Sequence, residues 1–449
     1  MPRDAQNQLL TAASEGASGA YSYALEGYLS YRADTGQRVA AMLVADPQFG
    51  MAHVFKGYLA LTPFDGTFLP RAREALNEAR PHLVHATARE RAHGEALRLW
   101  VEGDVAAAMK AWEEILADYP HDVLAFRMHH HNAFWSGRPE RMLDGVERVL
   151  PHWSAQMPGW DTVLACRSFA NEECGNYTVA EASGREALML SPGNLWATHA
   201  VAHVLEMQGR CGEGIHFLDG MEQHWEGGNA IMHHLWWHRA MYHMERREID
   251  HVLDLYDRRF RNFNSPLVQA MPDFTTDVQN AASMLFRLEL HGVAIGERWV
   301  ELAEKAEARV GDHLSPFTLP HRMMALAAER PATAEHMLEA LREAAHLDHT
   351  DHGAVLRNAA LPACEAVLAY RRGDFAGAVT AMRPALGLIY RLGGSHAQQE
   401  VLEQLFLDAA MKAGLDEDVR TLLERVAGQH PVPPERRIGY AKAAQRVAH

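Results

Sequence analysis

The chain has 449 residues, 48% of them hydrophobic, and its 58 acidic and 43 basic residues give a formal net charge of −15. Such a composition is that of a globular protein with a sizeable core. The acidic excess argues against nucleic acid or an anionic membrane as a partner, because phosphate groups bind to clustered positive charge.

Three further features predict a cytoplasmic protein. The N-terminus lacks the apolar segment of a signal peptide, and no stretch approaches the roughly 20 apolar residues of a membrane span. The four cysteines form no CxxC pair and are too sparse for a disulfide framework. The only basic clusters, Arg258, Arg259 and Arg261 and then Arg436 and Arg437, are expected to be solvated helix ends.

Residues 1–88 are predicted to form N-terminal helical hairpins. Aromatic and aliphatic residues recur at helical spacing over Tyr21–Tyr31. Three further helices are expected at residues 38–45, 51–61 and 72–79, each ended by a proline. Residues 1 to about 20 are rich in Ala, Ser and Gly, so we expect them to fray.

Residues 89–265 carry an explicit repeat. Gly103-Asp104-Val105 and Gly175-Asn176-Tyr177 each separate two helical stretches that hold small residues where the helices would cross. Turn positions fall at Gly103, Gly137, Gly175, Gly209 and Arg247, at spacings of 34, 38, 34 and 38 residues. This pattern resembles the tetratricopeptide repeat, whose period is about 34 residues.

The remaining chain is predicted to continue as helices, with a degenerate section at residues 266–353 and further repeats and a proline-containing tail at residues 354–449. No convincing strand alternation appears. One hairpin cannot cover its own apolar face, so neighbouring hairpins must stack. We therefore expect an all-α fold, a single TPR-like α-solenoid of helical hairpins that curls around a central cavity.

Four stretches resemble the tetratricopeptide repeat protein 38 family. They are THAVAHVLEMQGR (Thr198–Arg210), HHLWWHRAMYHME (His233–Glu245), ASMLFRLELHG (Ala282–Gly292) and GGSHAQQEV (Gly393–Val401). The likeness covers nearly the whole chain. It implies the repeat fold and a cytoplasmic location, and it implies no particular reaction, because the family has no settled chemistry.

Histidine is the unusual component, with 28 residues in the chain. The resemblance to the repeat implies that the first helix of each hairpin lines an inner wall, and the repeat register then places polar and aromatic side chains on that wall. Such a lining is typical of a small-molecule pocket. The candidate binding residues are Arg127, Glu172, Trp196, His234, Trp237, His238 and His396, and the candidate catalytic residues are His131, His199, His203 and Glu206. In the run 129–131, His129 and His130 are expected to pack between hairpins.

Two kinds of chemistry are open for this wall. Imidazoles and carboxylates together could supply general acid–base catalysis of a hydrolase or lyase, although no nucleophile elbow or phosphate loop is present. Alternatively, His199, His203 and Glu206 lie at i, i+4 and i+7 and could bind one divalent metal ion. Binding without catalysis is equally compatible with the residues.

A different class of function stays open beside these. Helical repeats often serve as protein-interaction scaffolds. The inward positions here are mostly histidine and aromatic residues rather than the Lys, Arg or Asn that hold carboxyl tails. We therefore expect a small-molecule ligand, with a homo-oligomer as a possible assembly and neither nucleic acid nor membrane as a partner.

Overall fold

The computed structural model describes residues 1–447, which contain two isolated β-bridges and no β-strand. The predicted all-α class is therefore confirmed for this part of the chain. The described residues form two compact units. Unit 1 comprises Met1–Val204 and Leu218–Met232, and unit 2 comprises Leu205–Phe217 and the chain from His233 onward.

Unit 1 consists of helices that pack in consecutive pairs. Its helices are α1 (Glu15–Leu29), α2 (Thr35–Ala45), α3 (Gly50–Leu61), α4 (Leu69–Leu83), α5 (Ala88–Val101), α6 (Val105–Asp118), α7 (Val123–Trp135), α8 (Pro139–Val149), α9 (Trp160–Glu173) and α10 (Tyr177–Leu190). Within each pair, from α1 with α2 to α9 with α10, the two helices contact each other. The four helices predicted for residues 1–88 are all present.

Three helices supply residues to both units, namely α11 (Leu195–Met207), α12 (Cys211–Met221) and α13 (Ile231–Glu245). Unit 2 continues with α14 (Ile249–Leu255), α15 (Pro266–Ala270), α16 (Thr275–Leu290), α17 (Arg298–Glu307), α18 (Thr318–Glu329), α19 (Pro331–Leu347), α20 (Asp351–Val355), α21 (Leu361–Arg371), α22 (Phe375–Met382), α23 (His396–Ala413), α24 (Asp416–Gln429) and α25 (Ala441–Val447). Helix α17 contacts α18, α21 contacts α22, and α23 contacts α24.

The turn motif of the repeat has a clear backbone cause. Gly103 follows the end of α5 and has a φ of 88°. The carboxylate of Asp104 then caps α6 by accepting a hydrogen bond from the amide of Ala107 at 2.9 Å. The predicted turn at Arg247 has φ of 61°, a left-handed conformation that a non-glycine residue adopts only at a cost. The turn register predicted from the sequence is confirmed, and the hairpins are TPR-like.

Small residues lie where paired helices cross, as the repeat pattern predicts. Ala180 on α10 is fully buried, and its carbonyl accepts the hydroxyl of Ser168 on α9 at 2.7 Å. A Cβ atom on Gly184 would lie 2.7 Å from that same hydroxyl oxygen. A larger side chain at this position would therefore force the two helices apart.

The expectation that the N-terminal residues fray is wrong. Leu10 is 0% exposed. The amide and hydroxyl of Thr11 both donate to the buried carboxylate of Glu90 on α5 at 3.1 Å, and the amide of Ala13 donates to Asp46 at 2.7 Å. These bonds join residues far apart in sequence, so the local composition gives no sign of them.

The expectation that the basic clusters are solvated is only partly correct. Arg258, Arg259 and Arg436 are exposed, but Arg261 and Arg437 are buried. Arg261 makes a two-pronged ion pair with Glu301 at 2.8 and 2.7 Å, and Arg437 pairs with Glu400. A buried guanidinium needs such a partner. In each case the partner carboxylate lies about 40 residues away in the sequence.

None of the described helices has the length and apolar character needed to cross a membrane.

Candidate functional site

In unit 1, the predicted wall residues of α7, α9 and α11 contact one another. Arg127 is 3% exposed and donates to the hydroxyl of Tyr31 at 2.8 Å and to the sulfur of Cys166 at 3.1 Å. Its guanidinium carbon lies 5.4 Å from the ring centre of Trp196. Arg127 is thus held by protein groups on two sides, and its predicted substrate-binding role stays a prediction.

His199 and His203 lie at the centre of a group of side chains in unit 1 that also contains Phe169, Glu172 and Trp196. The Nε2 atoms of His199 and His203 lie 3.0 Å apart, and both residues are buried. Phe169 lies against both rings, with centroid distances of 5.1 and 5.3 Å, and Trp196 lies 4.5 Å from the ring of His199.

Glu172 lies on the other side of His203. A carboxylate oxygen of Glu172 is 3.7 Å from Nδ1 of His203, and both side chains are 0% exposed. Glu172, Glu173 and His203 offer possible metal-ligand atoms that all lie within 4.8 Å of one another. The predicted wall thus brings Glu172, Trp196, His199 and His203 together in unit 1.

The three consecutive histidines on α7 have three different surroundings. Nε2 of His129 is 3.0 Å from Glu113 on the preceding hairpin. His130 contacts the rings of Phe169 and Trp196, with centroid distances of 6.2 and 6.4 Å. His131 donates from Nε2 to the carbonyl of Thr62 at 3.0 Å, and burial lowers the pKa of His131 to about 3. His130 therefore lies beside Trp196, and the predicted catalytic role of His131 stays a prediction.

In unit 2, Glu206 and His238 form one close pair, in which His238 is fully buried and Glu206 is mostly buried. Nδ1 of His238 is 2.6 Å from the carboxylate of Glu206. Burial raises the pKa of Glu206 to about 8, and burial lowers the pKa of His238 to about 3. Both shifts favour the uncharged form of the group. The pair therefore carries one shared proton and no net charge near neutral pH.

Helix α16 supplies partners for two further histidines of α13. Nδ1 of His233 is 2.8 Å from Asp277, and Nδ1 of His234 is 2.9 Å from the amide oxygen of Asn280. The sequence placed Asp277 in the first turn of a helix and gave no sign of this contact. The ring of His234 stacks on Trp237 at 5.2 Å with an interplanar angle of 9°.

Arg287, which the sequence analysis missed, lies on the same face of α16 as Asn280. It is 1% exposed, and its guanidinium carbon is 5.7 Å from the ring centre of Trp237. It donates to the carbonyls of Ala397 at 2.7 Å and Ser283 at 3.4 Å, whereas its Nε has no hydrogen-bond partner. Among the described residues, no carboxylate lies within ion-pair distance of Arg287, although Glu400, Glu206 and Glu245 act on its charge from further away.

The last candidate, His396, is the first residue of α23 and is exposed. The preceding Ser395 caps the helix together with Gln398. The only signal for Arg287 in the sequence is a charged residue between the apolar Phe286 and Leu288, and that signal also fits an exposed position.

No family model matches the chain. The solved structures that resemble it include the following three. One is a monomeric IFIT1 mutant with Gppp-AAAA, at 12% identity and a TM-score of 0.37, covering 99% of this chain and 98% of that chain. A chain of the Naa15/Naa10 complex bound to HypK-THB has 13% identity and a TM-score of 0.26, covering 96% and 66%. The TPR domain of P58(IPK) has 11% identity and a TM-score of 0.18, covering 90% and 99%.

Proposed function

We propose that unit 2 binds a small molecule that carries a carboxylate, and that Arg287 is the residue that pairs with it. The observation that carries the proposal is the buried guanidinium of Arg287, whose hydrogen-bond partners are two backbone carbonyls. Burying a cation is costly unless an anion or several acceptors compensate for the lost water. An anionic ligand would supply that compensation.

Other donors around Arg287 fit the same ligand. The indole Nε1 of Trp237 and the amide nitrogen Nδ2 of Asn280 are buried and have no hydrogen-bond partner. Buried polar atoms of this kind are normally satisfied by protein, water or a bound molecule. Trp237, Asn280 and Arg287 together offer donors for two carboxylate oxygens and an aromatic face for the rest of the molecule.

The pair of Glu206 and His238 would give such a site its chemistry. A carboxyl group whose pKa is raised to about 8 holds its proton at neutral pH and can act as a general acid. We therefore propose acid–base chemistry of the hydrolase or lyase type as the finer function, with Glu206 as the proton donor. Binding without catalysis would use the same residues.

The test is a thermal-shift screen of the whole protein with acetate, succinate and benzoate, each compared with its uncharged amide. The proposal expects at least one carboxylate to raise the Tm where its amide does not, and expects Arg287→Met to abolish the shift. A protein that responds to none of the acids, or an Arg287→Met variant that keeps the full response, would overturn it.

A second candidate function is a protein-interaction scaffold, because tandem TPR-like hairpins stack into surfaces that often bind other proteins. Recovery of a stoichiometric protein partner by untagged full-length protein, together with no response to any carboxylate, would favour it.

We also propose a homo-oligomer, membership of the tetratricopeptide repeat protein 38 family and a cytoplasmic location. The last two proposals rest on the sequence stretches that suggested them.

A further inference from the structure

We propose that unit 1 holds a divalent transition metal of the zinc class, with Nε2 of His199 and Nε2 of His203 as two of its ligands. This site is separate in its residues from the proposed carboxylate site of unit 2. Neither proposal depends on the other, so each can fail alone.

The positions of the two imidazoles are the first argument. His199 and His203 are one turn apart on α11, and their Nε2 atoms are 3.0 Å apart. Bonds of about 2.0–2.1 Å to a tetrahedral zinc ion place two ligand nitrogens roughly 3.3 Å from each other. The rings are therefore already near the separation that one ion requires. Without the ion, an N–H···N hydrogen bond links the two rings, and metal binding would displace its proton.

The carboxylate behind His203 is the second argument. Glu172 lies 3.7 Å from Nδ1, the ring nitrogen that the metal would not use. At this distance the two groups make no hydrogen bond with each other, but the carboxylate lies on the side of the ring where metal-bound histidines usually have such a partner. Glu173 adds a second carboxylate close to the same histidine, which makes the surroundings favourable to a cation.

The surroundings of the rings are the third argument. Phe169 and Trp196 contact the imidazoles and restrict their rotation. A preorganised pair loses little side-chain entropy when it binds an ion. The ligand set differs from the one suggested by spacing alone, because the carboxylate of Glu206 lies 2.6 Å from His238 and we assign it no role at this ion.

The experiment uses full-length protein purified without a histidine tag, stripped with a chelator and titrated with Zn²⁺ and Co²⁺. We expect wild type to bind either ion stoichiometrically, to release protons on binding and to give the visible d–d bands of tetrahedral Co²⁺. His199→Gln and His203→Gln should each weaken binding by more than about 10-fold, and Glu172→Gln by about 10–100-fold.

His85→Gln is the matched control, because His85 is an exposed histidine of the same unit. It should bind metal as wild type does. Loss of Zn²⁺ binding in the control as well, or wild-type affinity in His199→Gln and His203→Gln, would overturn the proposal. If the variants do not fold, the Co²⁺ spectrum of wild type decides alone: bands of imidazole-ligated tetrahedral Co²⁺ support the site, and their absence contradicts it.

Discussion

Each unit buries an arginine beside a tryptophan, but the two arginines have different partners. Arg127 in unit 1 lies 5.4 Å from Trp196 and donates to Tyr31 and Cys166. Arg287 in unit 2 lies 5.7 Å from Trp237 and donates to backbone carbonyls only. The cation–aromatic contacts are therefore similar in the two units, and our proposal assigns a ligand to Arg287 alone. Among the described residues, both guanidiniums keep a buried Nε without a hydrogen-bond partner, so what distinguishes them is that Arg127 donates to two side chains and Arg287 donates to none.

The largest expected effect is the loss of stability on replacing Arg127. Arg127→Met should lower the free energy of unfolding by about 2–4 kcal/mol, because it leaves the hydroxyl of the half-buried Tyr31 without this partner and removes a charged hydrogen bond. Urea denaturation monitored by circular dichroism measures this. Arg167→Met is the control, since Arg167 is partly exposed and its ion pair with Glu147 should be worth less than about 1 kcal/mol. Equal losses in both variants would remove the structural role assigned to Arg127.

The next effect concerns the proton of Glu206. A carboxyl pKa raised from 4.5 to about 8 means that the folded state keeps a proton that the unfolded state releases, so its contribution to stability falls as pH rises between these values. Glu206→Gln has no such proton. The variant should therefore gain stability relative to wild type from pH 5 to pH 8, on the order of 1 kcal/mol or more. A difference that does not change with pH would show that Glu206 is ionised throughout.

The smallest expected effects on stability concern equivalent turns, one in each unit. Arg247→Gly should stabilise the protein by about 0.5–1 kcal/mol, because glycine adopts the left-handed conformation without strain. Gly103→Ala should destabilise it by about 1 kcal/mol for the same reason, since no atom lies within 4 Å of the added Cβ. Thermal unfolding of both variants measures these changes. Shifts of the same sign would contradict the repeat register.

The repeat itself could be predicted because its signals are local. The turn glycines, the capping Asp104 and the small residues at the crossings each act within a few positions of the chain. The same register even located the turn at Arg247, where the residue type gives no hint. The helical class followed from these signals and from the spacing of apolar residues.

The surroundings of the candidate residues could not be predicted to the same extent. Spacing placed His199 and His203 on one face of a helix, but only the fold shows that Glu172 lies behind His203. Arg287 was missed because its burial depends on α13 and on the start of α23, which are distant in sequence. The N-terminal segment was expected to fray because its bonds to Glu90 and Asp46 are likewise long-range.

The most direct test of the account is the stability of Arg287→Met measured by urea denaturation in the absence of any ligand. An unpaired buried cation should contribute little to folding, so the account predicts that the variant is as stable as wild type or more stable. Arg261→Met, which leaves Glu301 without its ion pair, should be destabilised under the same conditions. A loss of several kcal/mol in Arg287→Met, comparable to that of Arg261→Met, would show that Arg287 is a structural residue and would contradict the proposed carboxylate site.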